Sequence, residues 1–158
     1  MRIERERAKR GFRASLAVAA AGVALSGSAC HGTRPSNLGA TNGFLAPCPD
    51  SPNCVSDRDT DPEHKIAPLT YTGSRADAMT KLASVVRSTT RAEIVSQTDD
   101  YLDAEYTSLI WRFVDDVEFS FDPDGKTIHV RSASRVGKGD LGVNRRRIED
   151  IRVKFQGP

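Results

Sequence analysis

Two adjacent aspartates, Asp115 and Asp116, stand in FVDDVEFSFDPDGKTIHVRSASR, and an Arg-Ser-Ala-Ser-Arg run follows them across a turn. Neighbouring carboxylates can divide general acid and base work when their surroundings hold protons with different strength. The hydroxyls of Ser132 and Ser134 can donate to a carboxylate, and the guanidiniums of Arg131 and Arg135 can clamp an anion. A hydrolase-like enzyme would combine these groups. A hairpin would use the same groups only to hold its strands. Other catalytic sets are missing: the three histidines His31, His64 and His129 are scattered, no Cys-x-x-C occurs, and neither a metal-ligand spacing nor a cofactor fingerprint is present.

The Asp-Pro-Asp-Gly turn predicts an antiparallel hairpin in which Phe121 faces Lys126. On one face Val117 then meets Val130 and Phe119 meets Ile128. On the other, Asp116 meets Arg131 and Glu118 meets His129. Cross-strand pairs of this kind contribute roughly 0.2–1 kcal/mol each, so Asp116 has a structural explanation. Asp115 differs, because alternation puts it on the face of Phe113, Val117 and Phe119, opposite Ser132 and near Ser134. A carboxylate on an apolar face must be paired, hydrogen-bonded or protonated. It therefore anchors a buried polar network, with Ser132, Ser134, Arg135 or Arg145 as partners, or it lies in a pocket at the end of the sheet. On this reading Asp115→Ala costs roughly 2–4 kcal/mol and Asp116→Ala less than about 1 kcal/mol.

The elements that position these groups follow from periodicity. Ser74 can cap a helix through SRADAMTKLASVVRS, where Met79, Leu82 and Val86 recur at helical spacing. Four strand patterns come next: AEIVSQ, YLDAEYTS, IWRFVDDVEFSF and KTIHVRSASR. LGVNRRRIEDIRVKF returns to helical period through Leu141, Ile148, Ile151 and Phe155. Around that stripe Arg145 and Arg152 flank one edge, Arg147 the other, and Arg146 points outward. The glycines of VGKGDLGVN match no phosphate loop, and Asp140 is placed to cap the helix instead. The expected fold is α+β: an antiparallel four-stranded meander packed by two helices, in the order helix, four strands, helix.

Residues 1–29 read as a secretory signal, with six basic side chains ahead of the uncharged ASLAVAAAGVALSGSA. Cys30 follows small residues in the manner of a bacterial lipobox, where the cysteine becomes a lipidated N-terminus. Residues 30–44 then form a flexible tether, and residues 45–158 a single domain. Cys48 and Cys54, in PCPDSPNCV, are brought together by proline turns and form a disulfide in an oxidising compartment. Without the leader the chain carries 17 basic and 19 acidic residues, which argues against a nucleic-acid partner. Residues 126–158 hold nine basic and three acidic residues, and 46–125 seven and sixteen. Halves so unequal neutralise each other on packing, or leave Arg131, Arg135 and Arg145 to hold an anion.

PCPDSPNCVS, FVDDVEF and VRSASRVGKGDLGVNRRRIE resemble the family called domain of unknown function 1499, over about residues 45–156. The resemblance implies domain limits and transfers no activity, cofactor or residue role. Three readings stand together. One is an exported lipoprotein of the periplasm or cell envelope, held to a membrane by its N-terminal lipid, that binds a small anionic ligand or an envelope protein without catalysis. The second is a hydrolase-like enzyme using Asp115 or Asp116. The third is a structural envelope component.

Overall fold

A computed structural model of the chain describes residues 32–123 and 125–157, so the expectations for the leader and for Cys30 lie outside it. Two short strands come first, β1 (Cys54–Ser56) and β2 (Leu69–Thr70). Helix α1 (Arg75–Arg87) begins where Ser74 accepts from the Asp77 amide, the cap that its sequence announces. It buries Ala78, Met79, Leu82, Ala83 and Val86. Strands β3 (Ala92–Gln97), β4 (Tyr101–Thr107), β5 (Val114–Phe121) and β6 (Thr127–Ser134) form the meander, and α2 (Val143–Gln156) closes the chain.

The fold is α+β with two helices, but the antiparallel sheet has six strands rather than four. Its order is β1-β6-β5-β4-β3, with β2 pairing farther along the same edge of β6. Strands of three and two residues in a proline-rich stretch are too short to show alternation, so their pairing partner alone defines them. The Cys48–Cys54 disulfide stands at the start of β1.

Both helices cover one face. There Leu102, Ala104, Val117, Phe119, Ile128 and Val130 meet Leu82, Val86, Ile148, Ile151 and Phe155 in a single cluster. Full burial of each large side chain contributes about 1.5–3 kcal/mol. Phe119, Leu82 and Ile148 are fully buried.

The β5–β6 register differs from expectation by two residues. Phe121 faces Ile128, and the Asp122 amide donates to the Thr127 carbonyl beyond it. Each residue of β5 therefore faces a partner two residues farther along β6 from the turn than expected. An even shift keeps every side chain on its expected face while changing its partner. Glu118, not Asp116, faces Arg131, and Asp115 faces Ser134. The strand also starts later than the pattern implies. Arg112 takes a left-handed φ of 57°, and the Ser108 amide donates to the Phe113 carbonyl, so residues 109–112 form a pinched loop and Phe113 is exposed.

The second face of the sheet is covered as well. Residues that read as tether lie across it: Arg34 pairs with Asp103 and Glu105, the Gly39 amide donates to Glu118, and Ser120 donates to the Gly43 carbonyl. This stretch has little to bury, and carboxylates of the sheet hold it in place.

Candidate functional site

Asp115 and Asp116 stand on opposite faces of β5 and belong to separate polar networks. They cannot act as a carboxylate dyad.

On the face away from the helices, β4 and β5 present Asp103, Glu105, Asp116 and Glu118. Arg135 takes Asp116 in a two-pronged grip, Nε to Oδ2 at 2.9 Å and Nη2 to Oδ1 at 2.6 Å, and also reaches Glu105. Arg131 pairs with Glu118 at 3.1 Å, while Tyr101 donates to the same carboxylate at 2.8 Å. Arg34 supplies the third guanidinium. Hydrogen bonding to Asp116 foremost, aided by Glu105, raises the Arg135 pKa despite burial. Burial, with the nearby Glu118 charge, pushes the Tyr101 hydroxyl up. Burial also raises the Asp103 carboxyl, and Arg34 offsets only part of it. For Glu105 burial pulls the same way, yet hydrogen bonds and charge from Arg135 and Arg34 together outweigh it and leave its pKa lowered.

That last shift carries a pH signature. A carboxyl lowered by folding stabilises the fold fully above its ordinary value of 4.5, and the contribution is lost as pH falls through the folded value. Urea melts should show Glu105→Gln less stable than wild type at pH 7, with the gap closing as pH drops below 4.5. A gap independent of pH would remove the ion-pair explanation.

On the helix face the organising residue is Asn144, fully buried in the first turn of α2. Its Nδ2 donates to the Asn53 carbonyl, to Ser134 Oγ and to Asp140 Oδ2. Its Oδ1 accepts from Ser132 Oγ and from Arg147 Nη1. Asp140 also accepts the Gly142 and Asn144 amides, and so terminates the helix as its sequence implies. Arg147 reaches on to Asp115 Oδ2 at 2.5 Å, and its guanidinium lies 4.7 Å from the centre of the Tyr106 ring.

The expected polar network at Asp115 thus exists with different partners. Ser132 and Ser134 bond to Asn144 instead of Asp115. Arg135 lies with Asp116, and Arg145 donates to the carbonyls of Lys65 and Glu63. An anion held jointly by Arg131, Arg135 and Arg145 is excluded by these engagements. Periodicity places Arg147 and Tyr106 on their elements but not in this site, and it singles out neither Asn144 nor Asn53 as a site residue. Asn144 carried a usable signal, since it precedes Ile148 by four residues and so continues the apolar stripe with a polar side chain that must find partners. Asn53 carried none.

A cleft of about 390 Å³ opens beside Asp115 and Arg147, lined also by Tyr106, Ser108, Arg91, Arg146 and Lys154. Tyr106 Oη is buried without a hydrogen bond of ordinary geometry, although the Thr89 side chain adjoins it. Burial raises the Tyr106 pKa, against lowering by Thr89 and Arg147, so the phenol is a neutral donor at physiological pH. Among the cations, Arg91 donates to the Thr107 carbonyl and Arg146 to the Leu141 carbonyl, while Lys154 is exposed at the rim. Arg147 alone is neutralised, by Asp115. The cleft can bind a small anion. Elsewhere, His129 Nδ1 meets Asp57 at 2.7 Å, with Ser120 across the strand already donating to a carbonyl. Among the described residues no cluster of His, Cys, Asp and Glu is placed to hold a metal ion, and no helix is long and apolar enough to cross a membrane.

A family model described as "Protein of unknown function (DUF1499)" matches residues 44–155, limits close to those that the three motifs imply. No curated protein and no solved structure matches the chain.

Proposed function

The chain belongs to the DUF1499 family, and on that footing we propose that it is a non-catalytic binding module of the cell envelope that takes a small anionic ligand in the cleft beside Arg147. The leader and the cysteine at residue 30 support export and a lipid anchor. The observation that carries the binding reading is the cleft itself. Arg91, Arg146 and Lys154 outnumber the one lining acid besides Asp115, which is Asp150, and the Tyr106 hydroxyl lacks an ordinary partner. Asp115 serves there as the fixed counter-charge that orients Arg147, not as a base. Its Oδ2 is occupied by the guanidinium, and the neighbouring hydroxyls of Ser132 and Ser134 are committed to Asn144.

The test is a thermal-shift titration with inorganic phosphate and with short dicarboxylates, in parallel with native mass spectrometry of protein extracted from its own membranes. A ligand at a hundred times its Kd stabilises by about 2.7 kcal/mol, enough for a clear rise in Tm. The rise should vanish in Arg146→Ser/Lys154→Ser. Protein that carries no small molecule when extracted and is unmoved by every anion would overturn the reading.

A further inference from the structure

The loop between β4 and β5 exposes three consecutive large apolar side chains, whereas the other exposed ones, Leu141 and Val153 among them, are not consecutive. Leu109 is 69 % exposed, Ile110 76 % and Trp111 70 %, with Phe113 half out at the base. None of them belongs to the core cluster. The loop is nonetheless built: Ser108 closes it twice, its amide donating to the Phe113 carbonyl and its hydroxyl accepting the Phe113 amide. Arg112, in the left-handed region, turns the chain at the tip. A pinched loop carrying Leu, Ile and Trp in succession leaves these side chains in water at a cost that folding does not recover.

Position and charge identify what covers it. Leu109 lines the cleft together with Val143, Arg91 and Arg146, so these exposed cations border the apolar tip, and Arg112 lies within it. Asp150 is the exposed acid that faces them, since Asp115 is already paired with Arg147. Trp beside Leu and Ile, with Arg112 next in the chain and Arg91 and Arg146 beside Leu109, is a composition that settles at the boundary between acyl chains and anionic headgroups. The first described residues lie at the same end. Gly32 sits so close to Arg135 and Val136 that a Cβ there would come within 2.8 Å of Arg135 Cβ, and the Arg135 amide donates to the Val114 carbonyl, next to Phe113. Residue 30, read as the lipid-bearing cysteine, is two positions from Gly32.

We infer that the 109–113 loop inserts into the surface of an anionic bilayer, docking this end of the domain on the membrane with the mouth of the cleft beside the headgroups. The contact is made by the side chains of the folded domain and does not depend on acylation of Cys30 or on the identity of the cleft ligand.

Trp111 is the chain's single tryptophan, so its fluorescence reports this loop alone. The experiment uses the full chain carrying Cys30→Ser, mixed with vesicles of phosphatidylglycerol and phosphatidylethanolamine, some with brominated acyl chains. Emission should shift to the blue and be quenched by bromine. The quenched fraction should fall on the order of tenfold with Ile110→Asp, because losing one large buried side chain and gaining a charge is worth at least a factor of ten in partitioning. High salt or purely zwitterionic vesicles should reduce it as well. Protein that binds vesicles while Trp111 emission stays unchanged has docked through its leader, and the inference fails. It fails equally if the emission is already blue-shifted without lipid and depends on protein concentration, which would mean that a second copy covers the loop.

Discussion

Asp116→Ala is expected to destabilise the domain by about 3–5 kcal/mol, the range for removing one partner of a buried ion pair. The hairpin pattern alone expects less than about 1 kcal/mol, because it places Asp116 on an open face opposite Arg131. In the structure Asp116 is 1 % exposed and holds two nitrogens of Arg135, whose side chain is itself 6 % exposed. Deleting the carboxylate leaves that guanidinium with Glu105 as its remaining anion. Asp115→Ala should cost somewhat less, about 2–4 kcal/mol, since Arg147 keeps its bonds to Asn144 and Ser132 and can turn toward the cleft. Paired urea melts decide the order. A loss below 1 kcal/mol for Asp116→Ala would show that water reaches this face and that the residues lying over it do not seal it. Asp116→Ala/Arg135→Met should recover part of the loss, because an apolar replacement for both charges removes the uncompensated one.

Asn144→Ala is expected to be comparably severe, at about 3 kcal/mol or more. The side chain joins the loop at Asn53, the end of β6 and the first turn of α2, and Asn53, Ser132 and Asn144 itself are all buried. The substitution removes one of two bonds at the Asn53 carbonyl, which keeps the Ser134 amide, and leaves the buried Ser132 O–H without its acceptor, a loss of about 1–3 kcal/mol for that donor alone. Arg147 also loses its inner hydrogen bond, so the melt should be read beside the anion titration. Both stability and anion binding should fall. Asn144→Asp keeps the acceptor that serves Ser132 and Arg147, yet sets a carboxylate against Asp140 and surrenders the donor to Asn53. It should rescue little of the stability. An Asn144→Ala protein as stable as wild type would mean that this junction is hydrated and plays no part in holding α2.

Local chemistry was legible in the sequence wherever neighbours along the chain determine the outcome. Ser74 and Asp77 are three residues apart, and their mutual bonds start α1. Leu102, Ala104 and Tyr106 alternate with acids, and strand geometry alone sends them to opposite faces. Asp140 caps α2 from just outside it, and the Cys48–Cys54 bridge closes a short proline-turned loop. The side of the sheet on which Asp115 lies was equally accessible, because parity survives any even slip of register.

What only the tertiary structure decided is which groups meet across long stretches of chain. The hairpin slip of two residues replaced each predicted charge pair by another, because local alternation fixes faces and leaves the placement of the turn open. Arg147 reached Asp115 across 32 residues, and Arg34 reached Asp103 across 69. No periodicity encodes either distance. The second face of the sheet reads as polar, hence solvated, and becomes an interior only once residues 34–44 lie over it. The physical reason is the same each time. An apolar residue declares its need for burial by its type alone, whereas a charged residue is satisfied by water or by a distant partner, and the choice is settled when the chain closes.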